Sequence, residues 1–262
     1  MENNEPSYLG LYLLSPNSFN HFIVDAINAL GGLKSFQETG VSTISNYNLD
    51  SIITDGLDKG VLKPKDKLLD LGSAFGLTSL IWTSYGFDVT GIEINKKCFD
   101  YSVEQIKKFK ENHLMNGEIV KFINGSYFPP EYISKRNNGT ALAPRIEEKY
   151  LNKKRTCEEC FFPTPSDIYK ENNLKLNEFD VFYAYLWDIQ GPSVMKIFKD
   201  YSKEGALLVG SIAASQRDKK YVVNELGLKD ITNTITLNKE VFFLIKKEDE
   251  KLYEHKVRNY EF

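Results

Sequence analysis

Cysteine is scarce in this chain, three among 262 residues, and there are only three histidines beside them. A structural zinc site normally takes four such ligands. Cys157 and Cys160 form one Cys-x-x-Cys pair, Cys98 falls on a different segment, and His21, His113 and His255 are scattered. The pair reads as an isolated feature of a surface insertion, and no metal is expected. So few cysteines suit a reducing compartment. No apolar run approaches the roughly 18 residues needed to span a bilayer. Met1 to Pro6 lacks the basic start and apolar core of a secretory leader. The expected location is therefore cytoplasmic, with no membrane partner. Positive charge is not in excess either: the formal net charge is -3 and the pI about 5.8. Phosphate neutralisation dominates duplex affinity, so a nucleic-acid partner is disfavoured, although Lys149 to Arg155 is locally basic. Internal repeats and low-complexity tracts are lacking.

What is present is the composition of a globular protein, 42% hydrophobic and 26% charged. The length is enough for a full-sized core. Phe19, Phe22, Ile23, Ile27 and Leu30 recur at helical spacing, and Gly31-Gly32 ends that stretch. A second helix is expected from about Leu49 to Lys59, capped by Asn48 or Asn46 and stopped by Gly60.

From Lys67 the pattern alternates. Strands are expected at Lys67–Leu71, Phe87–Ile92, Glu118–Ile123, Phe179–Trp187 and Ala206–Gly210. Between them lie a helix carrying Leu77, Leu80 and Ile81, a helix from Asn95 to His113 and another from Pro192 to Tyr201. Phe99, Val103 and Ile106 are the expected buried face of the second of these. Alternation of strand and helix implies a parallel sheet with right-handed crossovers. Ile231–Leu237 and Val241–Lys246 read as strands joined by Asn238-Lys239-Glu240, a link short enough only for antiparallel pairing. The expected fold is α/β, a doubly wound, mostly parallel seven-stranded sheet ending in an antiparallel hairpin. It forms one domain over residues 1–262. Residues 1–47 form an N-terminal cap segment, and 127–178 form an insertion between strands three and four, longer than a crossover requires.

The chemistry concentrates at Asp70-Leu-Gly72-Ser73-Ala74-Phe-Gly76, where a buried strand turns into a helix. Small residues let a ligand approach the backbone, and the helix start offers unpaired N–H groups and partial positive charge. Asp70 is placed to face a cationic group. Glu93, about 20 residues beyond Gly72 and at the end of the second strand, is placed to accept ribose hydroxyls. The dinucleotide fingerprint fails at its third glycine, where Leu77 stands, and there is no Gly-x-x-x-x-Gly-Lys-Ser/Thr loop.

These residues, with Gly91-Ile-Glu93-Ile94, resemble motif I and the acidic motif that follows it in class I S-adenosylmethionine (SAM)-dependent methyltransferases. The resemblance spans about Leu49 to Lys246. It implies SAM as cofactor, with Asp70, Gly72, Ser73, Ala74 and Gly76 under its methionine and adenosine parts, and Glu93 and Ile94 at its ribose. The family's acidic residue after the third strand is replaced by Asn124-Gly-Ser126-Tyr127, of which Ser126 or Asn124 substitutes at the adenine. Tyr185-Leu-Trp187 is similar to the Tyr-Leu-x-Pro segment of some protein-lysine methyltransferases, and Thr43 to their threonine before the first helix; Asp188 stands in place of the proline. By that likeness Thr43 and Tyr185 would contact the cofactor. Trp187 and Gln190 would contact the acceptor, and Tyr185 and Asp188 would handle the proton it releases.

Strand four ends Ala-Tyr-Leu-Trp rather than in the Asn/Asp-Pro-Pro-Tyr/Phe of nucleic-acid base amine methylation, and no Pro-Cys pair marks a cytosine methylase. Gly210-Ser211 ends strand five without the acidic residue of catechol-type metal-dependent enzymes. A small-molecule N or O acceptor leads, and a protein side chain follows. A non-catalytic SAM-binding subunit, or an enzyme moving an aminocarboxypropyl or aminopropyl group, is the reading from another class. The oligomeric state is open.

Overall fold

The computed structural model describes residues 6–33, 46–115, 117, 119–129, 134–135, 141–142, 167–186, 191–212, 223–224, 226–238 and 240–246. Helices α1 (Tyr8–Leu14), α2 (Pro16–Ala29) and α3 (Asn46–Asp58) come first. Strand β1 (Lys67–Leu71), helix α4 (Leu77–Ser84), β2 (Asp88–Glu93), α5 (Lys96–Glu111) and β3 (Val120–Asn124) follow. A two-residue pair, β4 (Ser134–Lys135) and β5 (Ala141–Leu142), stands apart. Then come α6 (Ile168–Glu171), β6 (Val181–Leu186), α7 (Gly191–Tyr201) and β7 (Leu207–Ile212). Strand β8 (Leu228–Asp230), α8 (Thr232–Ile235) and β9 (Val241–Lys246) complete the order.

Seven strands form one sheet in the order β3-β2-β1-β6-β7-β9-β8. The four pairings from β3 across to β7 are parallel, and β9 runs antiparallel to both β7 and β8. The doubly wound α/β sheet with its antiparallel C-terminal pair is thus present. Connections from β1 leave toward β2 on one side, and β6 returns on the other. This is the switch point where ligands of open α/β sheets bind, at the carboxyl ends of the strands.

Period-2 alternation splits the strands between two apolar layers. Leu68, Val89, Val181, Tyr183, Val209 and Phe243 face α1 to α5. Leu69, Leu71, Ile92, Phe182, Leu208 and Phe242 face the other way, with Val194, Ile197 and Phe198 of α7 packed on them. Burying a Leu, Ile or Phe side chain is worth about 1.5–3 kcal/mol. Two filled layers therefore hold the strand ends in place beneath the site.

Three elements differ from the sequence expectations. Helix α1 was not expected. It buries only Leu9, Gly10 and Leu13, too few to show a period. It docks because Gly10 lets it approach α4, where a Cβ would come within 2.3 Å of Ser84 Oγ. On α5 the fully buried positions are Cys98, Tyr101, Ser102, Gln105 and Phe109; of the expected face, Ile106 packs partly buried against the core, whereas Val103 is 45% exposed. A face containing serine and glutamine hides its period from a hydrophobic count. The strand expected at Ile231–Leu237 is also displaced. Strand β8 lies earlier, and Thr232–Ile235 is helical. Asp230 Oδ1 accepts the N–H of Thr232 at 3.0 Å and also its hydroxyl. That turn overrides the β-branched composition of the segment.

Helix α3 begins at Asn46, so Asn48 is not its cap. The side chain of Asn48 instead donates to Glu240 Oε2 and accepts from Asn238 Nδ2 at 3.0 Å, clasping α3 to the β8–β9 connection. No helix among the described residues is long and apolar enough to cross a membrane.

Candidate functional site

The turn from β1 into α4 is held from below by β2. The N–H groups of Gly72 and Ser73 both donate to the carbonyl of Ile92, at 3.0 and 2.9 Å, and that of Gly76 returns to Ser73 O at 2.8 Å. Gly72, Ala74 and Gly76 have φ of 86°, 51° and 82°, so the turn places every second residue in the left-handed region. The two glycines serve different ends. A Cβ on Gly72 would meet only Tyr127, at 3.7 Å, so the backbone there is open to approach. A Cβ on Gly76 would come within 2.6 Å of Phe122 Cζ and 2.9 Å of Ser102 Oγ, because the turn is pressed onto β3 and α5. Gly76 is the N-cap of α4 and has no side chain to cap it, so the helix presents its positive end at the turn.

Glu93 closes the site from β2. Its Oε2 accepts the N–H of Ala74 at 2.8 Å and its Oε1 that of Asn95 at 2.7 Å. The backbone of Ile94 also donates to this carboxylate, so of its four lone-pair sites three are taken and one remains for a ligand donor. The side chain is 7% exposed, and burial pushes its pKa up to about 7 against the pull of those backbone donors.

Asp70, at 2% exposure, accepts from Ser79 Oγ of α4 at 2.6 Å. Burial raises its pKa to about 7, with the serine pulling the other way. In register with it on β6 is Tyr183, whose hydroxyl is buried without a partner; burial first, then Asp70, raises its pKa. Ser73 Oγ is likewise buried and unpartnered. Buried polar atoms are paired in the great majority of cases, so an orphan at a turn calls for a partner from elsewhere.

At the end of β3, Asn124 Nδ2 donates to the carbonyls of Glu93 and Ile94, at 2.9 and 3.3 Å. Its amide thereby locks the β2–α5 turn. Ser126, 7% exposed, accepts from Phe128 N at 3.2 Å, and Tyr169 donates its hydroxyl to the Tyr127 carbonyl at 2.5 Å. Tyr185 is half-buried near the end of β6.

The structure therefore places Asp70, Gly72, Ser73, Ala74, Gly76, Glu93, Ile94, Ser126, Tyr127 and Tyr185 at or just beyond the carboxyl ends of β1, β2, β3 and β6. Thr43, Trp187, Asp188 and Gln190 lie outside the described residues, as do Cys157 and Cys160. Sequence reasoning missed Ser79, Asn95 as a Glu93 partner, and the orphan hydroxyl of Tyr183. Only Asn95 left a signal, as the N-cap of α5, whose side chain accepts from Lys97 and Cys98 N–H. The described part of the N-terminal segment packs on α4 and α5. Its Phe22 ring lies 6.0 Å from that of Phe75 in the turn.

No protein-family model matches the chain, and no curated protein does. The chain is similar to solved SAM-dependent methyltransferases. One is the fibrillarin of Aeropyrum pernix, solved with natively bound S-adenosyl-L-methionine (15% identity, 76% of this chain and 74% of that one, TM-score 0.44). Another is the ribosomal protein L11 methylase of Lactobacillus delbrueckii subsp. bulgaricus (12% identity, 79% and 82%, TM-score 0.47). A third is a TehB-like SAM-dependent methyltransferase of Corynebacterium glutamicum (11% identity, 74% and 86%, TM-score 0.41).

Proposed function

We propose that the chain binds SAM across the β1–α4 turn and transfers its methyl group to a small-molecule nitrogen or oxygen acceptor. The observation that carries this is Glu93, whose two oxygens bridge both turns of the switch point and keep an acceptor site for a ribose hydroxyl. The other residues fit the group. Gly72 offers backbone that nothing but Tyr127 crowds, and Ser73 has a buried hydroxyl in want of a partner.

When bound, SAM supplies a methyl group already activated on a sulfonium, so that in-line displacement needs no further electrophilic help. The protein's part is alignment and exclusion of water. In this reading Glu93 holds the ribose, and Ile94, Ser126 and Tyr127 border the adenine. Asp70 sits near the methionine ammonium, behind Ser79. Tyr185 reaches the acceptor side of the cofactor, and it or Asp188 receives the proton that an amine acceptor releases. Thr43, Trp187 and Gln190 complete the cofactor and acceptor contacts. Segments 1–47 and 127–178 are proposed to cap the acceptor.

Calorimetric titration with SAM and S-adenosylhomocysteine, beside Glu93→Ala, tests this. Binding that weakens tenfold or more in the variant is the expected result. No binding to either compound by folded protein overturns the proposal. Methylthioadenosine as product, in place of S-adenosylhomocysteine, would show transfer of a different group from the same cofactor.

A further inference from the structure

A cleft of about 630 Å³ opens between α3 and the β8–β9 connection, a volume that suits a small organic ligand. Asn48, Ser51 and Asp55 form one wall; Thr236, Asn238 and Glu240 form the other. It lies apart from the β1–α4 turn but at the same end of the sheet, where the parallel strands finish. Ser211 near the end of β7 donates its hydroxyl to the Glu240 carbonyl at 2.7 Å. Ser211 is also in register with Tyr185 on one side and Val241 on the other. Two strand spacings of about 4.8 Å each therefore separate Tyr185 from the cleft's floor, roughly 10 Å. A ligand seated in the cleft needs an extended arm of about eight bonds to cover that roughly 10 Å and reach the end of β6.

The lining has one sign of charge. Among the described residues around the cleft, the charged groups are the carboxylates of Asp55 and Glu240. Each is aimed by a neighbour: Ser51 Oγ donates to Asp55 Oδ2 at 3.1 Å, and Asn48 Nδ2 donates to Glu240 Oε2. A single donor leaves most of a carboxylate's acceptor sites unused. Two such groups facing one cavity repel an anion and attract a compact cation with several N–H donors.

We infer that this cleft is the acceptor's docking site and that the acceptor carries an alkylammonium group, held between Asp55 and Glu240. Its role as an acceptor site rests on the methyltransferase reading, whereas its preference for a cation does not. An alkylammonium is offered equally by a free amine and by a lysine side chain.

The test is a low-salt calorimetric titration of the full chain with 1,5-diaminopentane, with and without saturating S-adenosylhomocysteine. 1,5-Pentanediol and glutarate serve as neutral and anionic probes of the same length. The diamine should bind at least tenfold more tightly than either. Asp55→Asn combined with Glu240→Gln should weaken it at least fivefold, with each single variant showing part of the loss should the pair fail to fold. Equal binding of the diol or glutarate, or unchanged diamine binding in every folded variant, overturns the inference. A pentapeptide with one central lysine separates the two sources, because binding tighter than the diamine's assigns a side chain and weaker binding a free amine. Failure of S-adenosylhomocysteine to bind, with the diamine still bound, would remove the methyltransferase reading alone. The converse result would remove the cleft alone.

Discussion

Glu93 and Ala74 are joined by a 2.8 Å hydrogen bond from the alanine's N–H to the glutamate's Oε2. The alanine is one of the left-handed residues of its turn, with φ of 51°. A carboxylate at the end of one strand thus holds in place the strained residue that follows its neighbour. The same carboxylate takes the N–H of Asn95 at the head of α5. Both loops that border the switch point answer to one side chain.

Glu93 and Asp70 share a consequence for pH. Burial raises their pKa values to about 7 from ordinary values of 4.5 and 3.8, and Asp70 adds a smaller repulsion to Glu93. The folded chain thus holds these protons more tightly than the unfolded chain does. Their contribution to stability is fully present below about pH 4 and is lost as pH rises toward about 7, at up to about 1.4 kcal/mol per unit of pKa separation. Exposed carboxylates titrate mostly below pH 5, so the part of the slope between pH 5 and 7.5 that the two variants remove belongs to the pair. Urea unfolding across that window should show stability falling with pH, and Asp70→Asn or Glu93→Gln should flatten the slope. An unchanged slope in both variants would refute the assignment.

The turn predicts two substitutions of opposite sign. Gly76→Ala puts a methyl group 2.6 Å from Phe122 Cζ at a φ of 82°. It should lower stability by about 1–3 kcal/mol. Ala74→Gly relieves a left-handed alanine while keeping the N–H that Glu93 holds. It should leave stability unchanged or raise it by up to about 1 kcal/mol. Denaturant midpoints in the reverse order would mean that the turn has another conformation.

Asp230 carries the local argument for α8. Asp230→Ala removes the acceptor that takes both the N–H and the hydroxyl of Thr232. A cost of about 0.5–2 kcal/mol is expected, as for a lost helix cap. Amide exchange should quicken at Thr234 and Thr236, whose N–H groups close the short helix onto Ile231 and Thr232. Exchange that is uniform across the β8–β9 connection in both proteins would count against it.

Legibility in the sequence followed the range of the forces involved. Strands β1 and β9 match the expected bounds because each is a short, mostly apolar run with clear stops. Gly72 and Glu93 were legible because a strand-turn-helix unit announces itself over a few residues. Ser79 and Tyr183 were not. Ser79 meets Asp70 because α4 lies back on β1, and Tyr183 meets it through the register of β6. Neither relation has a counterpart in sequence spacing. The segment after Leu228 misled for a different reason. Its isoleucines and threonines favour a strand, yet Ile231 and Ile235 are buried one helical turn apart.

Strand β9 lies between β7 and β8 although it follows both in the chain. During synthesis β8 leaves the ribosome with no neighbour in the sheet, and it joins only when β9 arrives to link it to β7. The Asn48–Glu240 clasp waits for the same event. The wall of the cleft is therefore among the last parts to form, long after the turn at Gly72 has strands β1 and β2 to rest on.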